Sequence, residues 1–566
     1  MRIERPTHRL SDHYDLVVVG AGITGVMVAR EAAWRGLRTL VVDQGDFGAG
    51  TSAATTKYLH GGIRYLETYE FGVVRESLRE RRILALSAPH LVRQTRFLMP
   101  AWRWSKPPAA LIGAGVGLYT ALAWDRNREA PPSLRIPPPR WLSRRRVLEA
   151  VPWLNPDQLQ GAFAYHDTLN LHPERLLLAF VGSAVQAGAV ALNHMAAVGF
   201  ITEAEAAGGL RVRGVEVHDR LNGQHHMVSA SAVVNAAGPW MDVVLERLGV
   251  PMGVRVNRSR GVHLLTRPLG GRGVVRDAVF ARAPNGRHVI VSPWMDRSFI
   301  GPTDTPDPAH PDEVHALGVD VDELLDTVNS TVGPHQERLS RDDVDAVTVG
   351  IRPLIVQEGR DSYHTSRRHE LYDHAASGVH GLWSIGGGKW TTARSLGEEV
   401  LDALVRSPML VEVAPARRAR PTRRLTAADA FGWASDATPF LEALTTGPGP
   451  TALRRHQREH LGRLYGTAAV EVMSLVGTDP ALAAPLSTQP DRVDLAAQVV
   501  HAITGEAACT LADVIDRRLV LGTLGRVTPD EIAAVARVAG PWWGWSSDRI
   551  AHEVSLEVDR RRQIEA

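Results

Sequence analysis

Three closely spaced glycines, Gly20, Gly22 and Gly25, mark the first place where this chain could do chemistry. They follow a β-branched run at 15–19 (DLVVV) and lead into a stretch with Ala29, Ala32 and Ala33 on one face, which Gly36 ends. A second apolar run at 39–42 is closed by Asp43. Strand, glycine turn, helix, strand and acid form a complete βαβ unit, the context in which a GxGxxG pattern binds a dinucleotide. Gly20 permits the tight turn, Gly22 lets the backbone approach a pyrophosphate, and Gly25 lets helix and sheet pack closely. The helix N-terminus, with Ile23 and Thr24 in its first turn, then faces the phosphates. Asp43 stands where a carboxylate accepts hydrogen bonds from an adenosine ribose.

The next segment, 50–65 (GTSAATTKYLHGGIRY), selects the cofactor. Hydroxyls such as Thr51 and Ser52 suit a ribityl chain and phosphates. His60, Gly61 and the glycine after them let the backbone lie against a flat isoalloxazine ring. A nicotinamide domain would continue into another helix–strand repeat at this point, so the expected cofactor is FAD.

Of 64 basic residues only three are lysines: Lys57, Lys106 and Lys389. Where arginine is the default, each lysine is informative. Lys389 sits in GGGKWTT (386–392), with Gly388 before it and Trp390 and Thr391 after it. Arg64, Arg352 and Lys389 each lie within or beside a glycine- or proline-marked turn rather than on an open helix face. Arginine supplies planar bidentate donors and lysine a point charge, so together they can clamp a phosphate dianion.

The elements that must position these residues follow from pattern. Further strands are expected at 188–192, 210–218, 232–235 and 382–385, and a helix at 391–405. Residues 255–305 alternate apolar and polar positions, as in a sheet with one covered face. Prolines mark loops at 132–139 and 302–311. The chain of 566 residues is too long for one core, and 44% apolar with 22% charged residues is ordinary for a globular protein. The expected fold is α/β: an FAD-binding, Rossmann-like two-dinucleotide-binding-domain architecture at 12–408, with an antiparallel-sheet substrate domain. The FAD-binding parts are expected near 12–90, 160–250 and 345–408, and the substrate parts near 91–159 and 251–344. A proline- and arginine-rich linker at 409–425 leads to a helical C-terminal domain at 426–566. A net charge of only +2 and no basic stripe interleaved with aromatics argue against nucleic acid. The single cysteine, Cys509, excludes an intrachain disulfide and a Cys/His zinc pattern, so no metal is expected. The polar start predicts no secretory signal.

Residues 109–124, within PAWRWSKPPAALIGAGVGLYTALAWDR (100–126), are apolar but shorter than the roughly 20 residues that span a bilayer. Trp102, Trp104, Lys106, Trp124 and Arg126 flank them, the pattern of a helix lying in a membrane interface. The alternative is a helix buried against the substrate domain.

Ordered motifs along the chain resemble the aerobic, FAD-dependent glycerol-3-phosphate dehydrogenases. They are GAGITGVMVAREAAWRGLRTLVVDQGDFGAGTS, KYLHGGIRYLETYEFGVVRESLRERRILALSAPHL, VVNAAGPW, SRGVHLL, PWMDRSFIGPTD, LSRDDV, GIRPL and GGGKWTT, followed by LRRHQREHLGRLYG and HAITGEAACTLADVIDRRL in the tail. The resemblance implies a D-amino-acid-oxidase-like flavin fold with a helical cap. It implies hydride transfer from C2 of glycerol 3-phosphate to flavin N5, giving dihydroxyacetone phosphate, and electrons passed to a quinone or to oxygen. It places Arg64, Tyr65, His263, Arg352 and Lys389 at the substrate, with His263 as general base and Arg352 beside it in catalysis. It places Lys57, His60, Gly61, Gly238, Gly388, Lys389, Trp390 and Thr391 at the flavin. It further implies a cytoplasmic protein, peripheral at the inner face of the cell membrane, and a homodimer.

Two departures from the family pattern leave a second reading open. His172-Pro173 replaces two acids, and Pro302 interrupts a Gly-Thr-Thr-Asp. Either could reshape the pocket for another 2-hydroxy or 2-amino substrate. A non-catalytic flavoprotein is disfavoured because the cations are all present.

Overall fold

The computed structural model describes all residues except Met1, Trp104, Lys106, Ala207, Pro251, Met252, Arg272, Val274, Val275, Ala566 and the stretches 283–287, 356–368 and 407–435. The expected linker at 409–425 lies outside the described residues, as do Trp104 and Lys106.

The β-branched runs lack polar alternation, so their strands must be covered on both faces. They form a parallel core in the order Leu382–Gly386, His225–Asn235, His13–Val19, Thr39–Val42, Val190–Leu192. The helices Ile23–Trp34 and Ala393–Leu404 pack together on this sheet, with Val28, Ala29, Ala32, Leu396 and Val400 inaccessible to solvent or nearly so. The first half of His225–Asn235 leaves the parallel core to pair antiparallel with Leu210–Asp219, which pairs with Met195–Ala204. Every strand expected for the nucleotide-binding layer forms, most within a few residues of the expected ends, but the one expected at 232–235 begins earlier, at His225.

The second sheet runs Val344–Ile355, Val256–Thr266, Arg297–Gly301, His288–Trp294, Ala278–Arg282, Val92–Trp102, Leu159–Asn170. Its pairings are antiparallel with one exception: Ala278 and Val279 pair in parallel with Phe97 and Leu98. The sheet is therefore mixed rather than antiparallel throughout. Its borders also differ from the expected 159/160 and 344/345. Leu159–Asn170 and Val344–Ile355 pair within this sheet along most of their lengths. Leu159–Asn170 is largely shielded and Val344–Ile355 half-buried over most of its length, so neither shows an alternation that would assign it to one sheet or the other.

The helix Ala109–Leu122 lies against this sheet, with Gly113 so close to the Phe163 ring that an added Cβ would fall 2.5 Å from Cζ. Among the described residues, no helix is long and apolar enough to cross a membrane.

Helices dominate the C-terminal region, from Thr438–Thr446 to Ser547–Glu565. Buried ions fasten it to the nucleotide layer. Asp46, just past the second strand, accepts hydrogen bonds from Arg517 and Arg518. Arg175 donates to Glu506 in a bidentate pair, 2.8 and 2.6 Å long, with the Tyr465 ring 4.2 Å from its guanidinium carbon. Burial alone would raise the Glu506 carboxyl, but Arg175 and then His501 outweigh it and hold its pKa at about 2 instead of 4.5. A depressed carboxylate stabilises the fold above its unfolded pKa, and that contribution disappears as pH falls through the folded value. Glu506→Gln should therefore cost about 3 kcal/mol near neutral pH, because it leaves Arg175 buried and unpaired. It should also remove the loss of stability that the wild type shows between pH 4.5 and about 2. Urea unfolding across that pH range measures both effects.

Candidate active site

The glycine turn is built by contact. An added Cβ on Gly25 would stand 1.8 Å from the Gly20 carbonyl oxygen, and Gly20 itself has φ +100°. Helix Ile23–Trp34 can start this close to the strand only because both residues lack side chains. Asp43 braces the turn: its Oδ2 accepts from the Ala21 N–H at 2.6 Å and its Oδ1 from Gly45 at 2.9 Å. Burial raises the Asp43 carboxyl to about 6, opposed by those two N–H donors. Ser52 Oγ accepts the Ile23 N–H at 2.9 Å, and Thr51 donates to the Ile351 carbonyl at 2.6 Å. These hydroxyls thus shape the helix N-terminus and tie it to the second sheet, in addition to facing the cavity.

That cavity, about 1450 Å³, is continuous from the glycine turn across the second sheet to the helix Ala109–Leu122. It exceeds the roughly 300–1,000 Å³ of ordinary small-ligand pockets and suits a dinucleotide with a substrate beside it. Gly20, Gly22, Ile23, Thr24, Asp43, Thr51 and Ser52 line its nucleotide end; His60, Gly238, Gly388, Lys389 and Trp390 line its middle. The indole Nε1 of Trp390 is buried there with no partner among the described residues. The bare glycine turn, the carboxylate at its edge and this orphaned donor fit FAD.

Four expected cofactor residues do not line the cavity. Gly25 acts from behind by admitting the helix. Gly61 packs against Leu78 and Tyr119. Thr391 is buried. Lys57 lies between two residues that do line it, Thr56 and Tyr58, and its left-handed backbone, φ +58°, accompanies a buried side chain. Its ammonium pairs with Glu174 at 3.4 Å and lies 4.7 Å from the Trp294 ring centre.

The substrate residues do converge. Lys389 Nζ lies 3.7 Å from the Tyr65 ring centre and the Arg64 guanidinium carbon 5.7 Å from the same centre. Arg352, on strand Val344–Ile355, faces the same cavity. Two features that sequence reasoning passed over hold it. Asp304 accepts Arg352 Nη1 at 3.2 Å, and the Thr303 carbonyl accepts Nη2 at 2.9 Å. Gly261 leaves the space, since a Cβ there would fall 2.3 Å from Nη2. The glycine in SRGVHLL and the acid in GPTD were the signals available.

His263 stacks on Phe299, with ring centres 4.9 Å apart. Both ring nitrogens are buried without a partner among the described residues. Burial first, then the charges of Arg352 and Lys57, lower its pKa to about 3, so the imidazole is neutral near neutral pH. Of the two departures, only Pro302 lines the cavity. His172 is buried with its ring 6.4 Å from Trp294, and Pro173 begins the helix Pro173–Gln186.

The comparisons agree with this geometry. Residues 15–398 match the family of FAD-dependent oxidoreductases, and the chain belongs to that class. Residues 416–550 match the C-terminal domain of alpha-glycerophosphate oxidase. A glycerol-3-phosphate dehydrogenase of Synechocystis sp. is 33% identical over 96% of this chain and 95% of its own length. The mitochondrial glycerol-3-phosphate dehydrogenase of Homo sapiens is 30% identical over 97% of this chain and 73% of its own. The crystal structure of the Bacillus halodurans glycerol-3-phosphate dehydrogenase complexed with FAD superposes with a TM-score of 0.76 at 26% identity, covering 99% of this chain and 96% of that one. Within its class, the chain is a member of the FAD-dependent glycerol-3-phosphate dehydrogenase family.

Gly25→Ala should yield folded protein without flavin, because a methyl group there collides with the Gly20 carbonyl. Flavin absorbance per chain, read beside circular dichroism, checks it; full FAD content in that variant would contradict the placement.

Proposed function

We propose that the chain oxidises sn-glycerol 3-phosphate to dihydroxyacetone phosphate and delivers the electrons to a quinone at a membrane surface. The observation that carries the first half is the convergence of Arg64, Arg352 and Lys389 on the cavity that also holds a neutral, unpartnered His263. FAD bound there supplies the acceptor for the C2 hydride, at N5. The three cations bind the phosphate dianion and orient C2, converting phosphate binding into correct placement of the reacting carbon. His263 accepts the C2 hydroxyl proton on one of its two unpartnered nitrogens. The bound dianion offsets the charge of Arg352, which raises the basicity of the imidazole when substrate is present. Arg352 in turn is kept in place by Asp304.

The second half rests on the helix Ala109–Leu122. Its exposed positions, Ala110, Leu111, Ala114, Gly117, Leu118 and Ala121, recur at helical spacing and include no charge. Leu111 is 60%, Leu118 41% and the following Trp124 69% exposed. An apolar stripe of this kind on a water-facing helix suits the acyl boundary of a bilayer. The cavity reaches the same helix, where Met99, Ile112, Val116, Phe280 and Ile290 make its wall apolar. An amphipathic quinone could enter from the bilayer along that wall.

Anaerobic glycerol 3-phosphate should bleach the flavin and glycerol should not. Bleaching by a 2-amino acid but not by glycerol 3-phosphate would favour the second substrate reading. Lys389→Arg should lower turnover at least tenfold, about 1.4 kcal/mol of transition-state stabilisation, since a planar guanidinium replaces a compact ammonium beside Tyr65. Steady-state kinetics at matched FAD content tests it.

Charging the stripe with Leu111→Glu and Leu118→Glu should abolish co-sedimentation with vesicles while leaving FAD content unchanged. Wild-type protein that stays in the supernatant at low and high salt would end the membrane reading.

A further inference from the structure

We infer that Asp167 and Tyr119 are positioning residues for the oxidation of the phosphorylated alcohol, holding the flavin- and substrate-facing loop at 60–65 against the apolar helix. Asp167 lies on the strand Leu159–Asn170, and the side chain is fully shielded apart from the cavity it helps to line. Its carboxylate joins three separate elements. Oδ1 accepts Arg81 Nη1 at 2.6 Å from the helix Phe71–Ser87. Oδ2 accepts the Tyr119 hydroxyl at 3.0 Å from the helix Ala109–Leu122. Both oxygens face the Gly61 N–H, at 3.3 and 3.4 Å.

Gly61 stands between His60 and the turn Ile63–Leu66 that carries Arg64 and Tyr65. An added Cβ at Gly61 would fall 2.2 Å from the Tyr119 hydroxyl oxygen and 2.3 Å from Leu78 Cδ2. The loop therefore rests directly on the tyrosine, and the shared carboxylate locks loop to helix. Burial and the neighbouring carboxylate push the Tyr119 hydroxyl well above its ordinary pKa, so it remains a donor. Burial pushes the Asp167 carboxyl above its ordinary pKa, and the Arg81 guanidinium beside it opposes that rise. Asp167 and Tyr119 both meet this loop at Gly61. They act through the backbone of Gly61, which sets where His60 and Tyr65 stand against the ring and the substrate.

This inference rests on the reaction proposed above. Tyr119→Phe is the discriminating variant, because it keeps the ring and removes one hydrogen bond. Asp167→Ala would strand a buried arginine and is expected to fold poorly, so Asp167→Asn is its companion. The measurement is anaerobic stopped-flow reduction of the FAD-loaded holoenzyme over a range of glycerol 3-phosphate concentrations. Tyr119→Phe should lower the limiting rate of flavin reduction at least about fivefold, with half-saturation changed less than about twofold, because a displaced loop costs alignment rather than affinity. Asp167→Asn should lie on the same side of wild type. A limiting rate within about twofold of wild type, or a loss confined to half-saturation or to FAD content, overturns the inference. Wild-type flavin that glycerol 3-phosphate does not reduce at all would instead refute the substrate assignment.

Discussion

Positive charge is concentrated behind one wall of the cavity, and the fold must tolerate it before any anion arrives. Each cation has its own device. Arg352 is held by Asp304 and the Thr303 carbonyl. Lys57 is paired with Glu174 and covered by the rings of Trp294 and Phe299. Lys389 sits on the face of Tyr65. A π face offsets a desolvated ammonium only partly, by about 1–2 kcal/mol, so the site keeps a net attraction for a dianion. His263, in the middle of this field, is a neutral imidazole near neutral pH, because burial first and then the charges of Arg352 and Lys57 disfavour its imidazolium form. An anion that offset the charge of Arg352 would ease the second of these causes.

The two sheets exist to bring this wall to the nucleotide turn. Thr51, at the end of the turn, donates to the Ile351 carbonyl, the neighbour of Arg352. One hydrogen bond therefore ties the flavin end of the cavity to the strand that carries the clamp. The parallel junction at Ala278–Phe97 lets the second sheet continue past its antiparallel half to Leu159–Asn170, whose Asp167 reaches the loop on the far side of the cavity. The C-terminal helices are fastened to the back of the nucleotide layer through Asp46 and Glu506, away from the cavity.

Local patterns were legible where one residue type has one physical use. Gly20, Gly25 and Asp43 announced their turn, because each does something no other side chain could do there. Arg64 and Lys389, which line the cavity, stood out through the glycines around them, and Tyr65 only through the family resemblance. The surroundings of Lys57 were not legible: nothing beside it in the sequence marks Glu174, Trp294 and Phe299 as the groups its ammonium meets. His172 misled for the opposite reason. A departure from pattern invites a functional reading, but this one packs beside Trp294 and caps nothing in the pocket. Asp304 lay in a motif noted for Pro302, and Asp167 in no motif at all, because a carboxylate that works by holding an arginine has no local signature.

The helix Ala109–Leu122 illustrates a conflict that sequence could state but not resolve. Membrane-facing and protein-facing readings were alternatives on the page of the sequence, and the structure gives the helix one buried and one exposed face. Val116 and Tyr119 are buried, while Leu111, Leu118 and Trp124 are open to solvent. A uniformly apolar helix carries no periodicity by which the two faces could be told apart. What separates them is one polar atom. The Tyr119 hydroxyl must find a partner once it is buried, and among the described residues the acceptor it meets is a carboxylate already committed to the loop at Gly61. That bond, with Gly113 against the Phe163 ring and Val116 buried, sets the rotation of the helix about its axis and the side that is left open to solvent.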